Sequence, residues 1–217
     1  MKLFKDLFYR FGSGVLFIVT KVLFRWRVQG REYIPKDRGY LVIARHRSYW
    51  DIPLVVVALG WRYRIHFVAR RKLMKVPVLA PLVKAYTIPI DRDNFGLSDF
   101  KCILKVINAD KIVGIFPEGT IKKIASPRVG VVRFAERARK EILPVNIVAD
   151  GLYPPVYPFR FPKVRLFIGR PFGIRDLEFD LSGDEGRDER YHRLSQVMMA
   201  RLDRAGVDER RSVPSSR

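Results

Sequence analysis

The sequence predicts an α/β fold, a mixed, largely parallel sheet flanked by helices and preceded by an N-terminal amphipathic helical membrane anchor. Three observations carry that prediction. Short, continuous apolar runs alternate with stretches of helical periodicity, the pattern of strands buried in a sheet with helices packed on it. Polar clusters follow three of those runs, where sheets of this class bind ligands beyond the carboxyl ends of their strands. The first 26 residues are apolar, aromatic and basic together.

Residues 1–26 read as a helical pair broken at Gly12-Ser13-Gly14, with Lys2, Lys5, Arg10, Lys21 and Arg25 interspersed. The cleanest apolar stretch, 15–24, spans only ~15 Å as a helix, about half of the ~30 Å bilayer core. A spanning helix is therefore not expected. Nor is a signal peptide, because Arg25-Trp26-Arg27 stands where a small-residue cleavage site would be required. An anchor lying in the membrane interface fits this composition, and an amphipathic helix packed on the protein's own core is the competing reading.

Residues 27–205 form the one expected domain. Residues 39–44 (GYLVIA) read as a buried strand. A helix at 52–59 is entered through Asp51 and Pro53, residue types common at helix starts. A strand at 65–69, a short helix at 79–84 and a strand at 86–90 follow, the last ending at Asp91-Arg92-Asp93-Asn94. A helix at 95–108 precedes a strand at 112–116 stopped by Pro117. A helix at 129–140, strands at 143–149 and 164–168, and a helix at 187–204 complete the domain. Residues 206–217 are expected to be disordered.

Lys and Arg total 42 against 22 Asp and Glu, a formal charge of +20. A field of that sign draws polyanions: nucleic acid, anionic lipid headgroups or phosphorylated small molecules. The sequence carries no recognisable nucleic-acid module, and its aromatics fall in apolar runs, so nucleic acid is not an expected partner. The one cysteine, Cys102, excludes an internal disulfide and fits a reducing compartment. Its apolar helical surroundings assign it to the core. Three scattered histidines and that cysteine offer no zinc cluster, and no metal or cofactor is expected.

Candidate chemistry lies in three clusters. In Arg45-His46-Arg47-Ser48-Tyr49-Trp50-Asp51, a histidine and an aspartate with four residues between them stand at a turn entering a helix. A carboxylate on one ring nitrogen fixes the donor tautomer and stabilises the imidazolium formed when the other nitrogen takes a proton. The spacing alone fits equally a surface histidine beside a helix-capping aspartate. In Phe116-Pro117-Glu118-Gly119-Thr120, Pro117 stops a strand, Gly119 permits a tight turn with an open backbone amide, and Glu118 is presented at the sheet edge. An ordinary strand-to-loop turn has the same composition. In Ile90-Asp91-Arg92, the planar fork of Arg92 suits a phosphate, and a surface ion pair is the plain alternative.

In order and spacing these clusters resemble the glycerolipid acyltransferase family, typified by 1-acylglycerol-3-phosphate acyltransferase, over about residues 27–172. The segment from His46 to Asp51 matches the family's H-x-x-x-x-D motif. Thr87-Ile88-Pro89-Ile90-Asp91-Arg92 looks like its second motif, Phe116-Pro117-Glu118-Gly119-Thr120 is similar to its third without alteration, and Leu143-Pro144-Val145-Asn146 resembles its fourth. The resemblance implies acyl transfer from a thioester, acyl-CoA or acyl-carrier protein, to the hydroxyl of a lysophospholipid, first of all lysophosphatidic acid. It implies His46 as general base oriented by Asp51, and Arg92, Glu118, Gly119 and Thr120 as acceptor-binding residues, with Arg92 on the phosphate. The acceptor is then itself the nucleophile, and no acyl-enzyme is expected. Membrane lipids are implied partners, and the expected location is monotopic on the cytoplasmic face of the inner membrane.

The sequence departs from the family pattern at three places. Arg45 stands where many members carry Asn, Ile121 where many carry Arg, and Arg70-Arg71-Lys72-Leu73 lacks the usual acid. Lys122 and Lys123 follow Ile121 and offer a displaced charge. These changes leave His46 and Asp51 intact and open the acceptor headgroup to alternatives, another lysolipid or an amino-acid-based lipid. A non-enzymatic basic protein that binds membrane or nucleic acid is the remaining reading, resting on charge alone.

Overall fold

The computed structural model describes residues 2–60, 62–75, 86–119, 127–156, 160–178 and 186–206. Its centre is β2 (Leu41–Ile43), a strand buried on both faces. Such a strand needs an uninterrupted apolar run, which the sequence supplies. Leu41 and Ile43 point into one core, and Val42 and Ala44 into the other, as the two-residue side-chain period of a strand requires.

Around it lie β1 (Arg27–Gln29), β3 (Ile65–Arg70), β4 (Thr87–Ile90), β5 (Ile112–Ile115), β6 (Ile142–Asp150) and β7 (Lys163–Ile168). Among the described residues these seven strands make one sheet in the order β1-β7-β6-β2-β5-β3-β4. Every neighbouring pair is parallel except β6 and β7. Because β1 follows β7, these two strands oppose the rest. The sheet is thus mixed and largely parallel, as the sequence predicts, and the carboxyl ends of β2, β3, β4, β5 and β6 share one edge. Gly114 in β5 lets Phe67 of β3 lie across it: a Cβ there would stand 2.5 Å from the phenyl ring.

One face of the sheet is covered by α1 (Lys2–Phe24) and α2 (Asp51–Leu59). The other carries α3 (Leu97–Asn108), α4 (Gly130–Ala138), α5 (Ile174–Glu178) and α6 (Arg187–Arg204). The expected break at Gly12-Ser13-Gly14 does not occur. The helix runs through it, with Ser13, Thr20 and Phe24 buried on its inner face. Each glycine costs ~1 kcal/mol of helix propensity, which the packing of that inner face outweighs. Thr20 Oγ1 donates to Leu16 O at 2.6 Å and accepts from Trp26 Nε1 at 3.0 Å, fixing the chain's exit from α1.

Three further differences stand out. β1 and α5 are additional to the predicted elements. Cys102 is exposed rather than in the core, because it lies on the outer face of α3. The predicted helix at 79–84 and the tail at 207–217 lie outside the described residues. No described helix is long and apolar enough to cross a membrane.

Candidate active site

After β2 the chain turns at Ala44, Arg45 and His46 before entering α2 at Asp51. The Asp51 side chain is fully buried and reaches backward instead of capping the helix. Its Oδ2 accepts the backbone N–H groups of Arg47 at 2.6 Å and Ser48 at 2.7 Å, and faces His46 Nδ1 at 3.4 Å. Its Oδ1 accepts the Tyr153 hydroxyl at 2.5 Å. These donors compensate the burial of the carboxylate. Burial, reinforced by the neighbouring carboxylate, pushes the Tyr153 phenol far above its ordinary pKa and keeps it a donor.

The His46 ring stacks on Phe116 at the end of β5, centroids 4.3 Å apart, and Phe116 stacks on Phe67. With Nδ1 turned to Asp51, Nε2 is the remaining basic nitrogen, and no described residue bonds to it. Glu118, also from the end of β5, is buried. Its Oε2 accepts the His46 backbone N–H at 2.9 Å, and its Oε1 pairs with Arg45 Nη1 at 2.5 Å. The third-motif carboxylate therefore holds the histidine loop with both oxygens. Arg45 also grips Asp203 in the last turn of α6 through Nε at 2.7 Å and Nη2 at 2.6 Å.

Gly119 has φ +71°, where a side chain would be strained. Its amide is not open, as the sequence reading had it, but donates to Phe116 O at 3.0 Å. The absence of a side chain admits two cations instead: a Cβ there would lie 3.3 Å from Arg128 Nε and 3.6 Å from Arg92 Nη2. Among the described residues Arg92 forms no ion pair. Burial first, then the like charges of Arg70 and Arg128, lower its pKa.

Two cavities meet at Arg92. One, about 210 Å³, is lined by Arg70, Arg71, Lys72 and the Asp91–Asp93 turn. The other, about 270 Å³, runs past Gly119 and Arg128 between Phe95, Phe100 and Phe116. The edge thus offers a cationic head region beside an apolar slot.

The structure brings His46, Asp51 and Glu118 into direct contact and sets Arg92 against Gly119. Thr120, with Lys122 and Lys123, lies outside the described residues. Tyr153, Arg128 and Asp203 were missed by the sequence reading. Asp203 lies in α6, Tyr153 in the loop after β6 and Arg128 just before α4, and no local spacing points to any of them. Among the described residues no His, Cys, Asp and Glu side chains are grouped to hold a metal ion.

The profile of the family described as Acyltransferase matches residues 25–148, more than half of the chain. The chain is 28% identical over 171 residues to the 1-acyl-sn-glycerol-3-phosphate acyltransferase of Bacillus subtilis (strain 168), a match covering 78% of this chain and 84% of that protein. It is 25% identical over 206 residues to the protein of the same name from Streptococcus pneumoniae, covering 91% and 74%. Among solved structures, the crystal structure of the 1-acyl-sn-glycerophosphate (LPA) acyltransferase, PlsC, from Thermotoga maritima superposes with a TM-score of 0.65 at 23% identity, covering 96% of this chain and 83% of that one. At that identity the likeness is one of fold.

Proposed function

The chain belongs to the acyltransferase family, and from that premise we propose that it moves a fatty acyl group from a thioester donor to the hydroxyl of 1-acyl-sn-glycerol-3-phosphate, with His46 as general base. The names of the relatives support this acceptor. The observation that carries the mechanism is the Asp51–His46 contact. A buried carboxylate faces Nδ1, so the neutral imidazole keeps its proton there and offers the Nε2 lone pair. The 3.4 Å separation is long for a hydrogen bond, as is common before substrate closes a site.

In this reading His46 Nε2 takes the proton of the acceptor hydroxyl as its oxygen attacks the thioester carbonyl. The tetrahedral intermediate collapses, the carbon–sulfur bond breaks, and the proton passes to the departing thiolate. The acceptor is the nucleophile, so no acyl-enzyme and no cofactor is needed. Acyl-CoA or an acyl-carrier protein serves as donor. Arg92 and Arg128 bind the acceptor phosphate as two adjacent cations, a favourable arrangement for a dianion. Arg128 would stand in for the cation missing at Ile121. We further propose that the protein works on the cytoplasmic face of a bacterial inner membrane as a monotopic enzyme, docked through the outward face of α1. The apolar side chains exposed along that face support docking through α1.

His46→Ala should lower kcat by roughly 10²–10⁴-fold, measured with a labelled acyl donor. Full activity in that variant would overturn the mechanism. A panel of acceptors with the same donor tests the headgroup. Lysophosphatidic acid should be used in preference to lysolipids without a phosphate monoester, and preference for an amino-acid-based lipid would overturn the phosphate reading.

A further inference from the structure

We infer that Asp203, near the end of α6, is a positioning residue for His46, acting through Arg45 and Glu118. The inference rests on the reading of His46 as general base. Its basis is a continuous chain of contacts. Asp203 accepts from Arg45 Nε at 2.7 Å and Nη2 at 2.6 Å, Arg45 Nη1 pairs with Glu118 Oε1 at 2.5 Å, and Glu118 Oε2 accepts the His46 backbone N–H at 2.9 Å.

The geometry of the fork gives Asp203 its effect. A guanidinium has two edges on which it can meet a carboxylate in a paired fashion. Asp203 holds the Nε–Nη2 edge and so fixes the plane and rotation of the guanidinium, which points Nη1 at Glu118 Oε1. Glu118 therefore meets Arg45 with one oxygen and keeps the other for His46. Without Asp203, Arg45 is free to rotate on Glu118 and draw its carboxylate out of line with the His46 amide. The turn carrying His46 would then lose its hydrogen-bonded tie to the end of β5 and keep those made by Asp51 and by Arg47, which donates to Ile147 O.

The position of Asp203 is itself fixed. Asn146 of β6 donates from Nδ2 to Asp203 O at 3.0 Å and to Ala205 O at 3.1 Å, tying the end of α6 to the sheet. Both Arg45 and Asp203 are partly exposed, and ion pairs of that kind contribute little to stability. The pair is therefore expected to matter for geometry far more than for folding. Arg45 is also a residue where this chain departs from the family's common Asn, so the device belongs to this sequence rather than to the motif.

The experiment compares Asp203→Asn, Asp203→Glu, Arg45→Gln and the Arg45→Gln/Asp203→Asn double variant in the full chain, with thermal unfolding measured alongside. Asp203→Asn should lower kcat on the order of tenfold, the scale of a small misplacement of a reacting group, with both KM values within about twofold and Tm almost unchanged. Asp203→Glu, which keeps a carboxylate in reach of the fork, should recover most of kcat. The double variant should lose no more than Arg45→Gln alone, because both changes break one chain. Wild-type kcat in Asp203→Asn, a loss confined to KM or matched by a fall in Tm, or additive losses in the double variant would each overturn the inference. Failure of the underlying reading looks different: His46→Ala would then stay active whatever Asp203 does.

Discussion

Asp51 illustrates how much a single residue carries in this site. Its buried carboxylate closes the 46–51 loop on two backbone N–H groups, faces the imidazole, and is held from the far side by Tyr153. Removing the Tyr153 hydroxyl leaves part of a buried charge uncompensated, a deficit of about 1–3 kcal/mol. Tyr153→Phe should therefore lose stability in that range, read as a lower denaturant midpoint, while keeping the His46–Asp51 contact and most of its activity. Unchanged stability would mean that water replaces the hydroxyl. The pairing of His46 with Asp51 was legible in the sequence because both lie in one short turn. Tyr153 was not, because 102 positions separate it from Asp51 and only the return of β6 to the same sheet edge brings it there. Glu118 was legible as a carboxylate at a strand end, but its contacts were not. Which way a carboxylate at a strand end turns depends on Arg45 and on the His46 amide, and neither is set by the motif's own residues.

At the scale of elements, the sequence exposes what is buried on both faces and conceals what is not. β2 and α2 were readable because their apolar runs have no polar interruption. β1 was not, since it is a three-residue edge strand whose Arg27 and Gln29 are exposed and whose partner, β7, lies 138 residues on in register. The break expected in α1 was a propensity argument, and tertiary packing overrode it. β3 carries an element-level consequence for pH. Burial, with the nearby charges of Arg64 and Lys111, lowers the His66 pKa from 6.5 to about 4. In the folded protein His66 is therefore neutral at pH values where the unfolded chain has already taken up a proton. The stability this contributes is complete above about 6.5 and is lost as pH falls from there toward 4. Denaturant unfolding at a series of pH values should show that slope, and His66→Gln should flatten it. A variant with the wild-type slope would assign the acid sensitivity to other groups.

For the whole molecule, the distribution of charge and apolar surface is what the proposed membrane docking rests on. The outward side of α1 carries Phe11, Val15, Ile18 and Val22 at spacings of four, three and four, a single stripe along the helix. Ile18 is 65% exposed and Val22 72%, so the stripe has no partner among the described residues. At the inner end of the same helix, Phe24 packs against Trp50, Tyr153 and Phe161. Two neighbours of that cluster, Tyr49 and Leu152, are themselves 77% and 75% exposed. The stripe is thus continuous in the chain with the residues that support Asp51, and the whole carries a formal charge of +20. On the proposed docking at a membrane, apolar contact and attraction to anionic headgroups act together. Vesicles containing anionic lipid should bind the protein more tightly than purely zwitterionic ones, and the difference should shrink as salt is raised. The double substitution Ile18→Glu with Val22→Glu puts two charges on the stripe without touching the inner face, and should weaken binding to both kinds of vesicle. Because the active-site residues are unaltered, the same variant should keep its activity on a short-chain acceptor dissolved as monomer and lose activity only on acceptor embedded in vesicles. If binding and vesicle activity both survive the two glutamates, the outward face of α1 is not the docking surface, and the exposed Tyr49 and Leu152 become the next residues to charge.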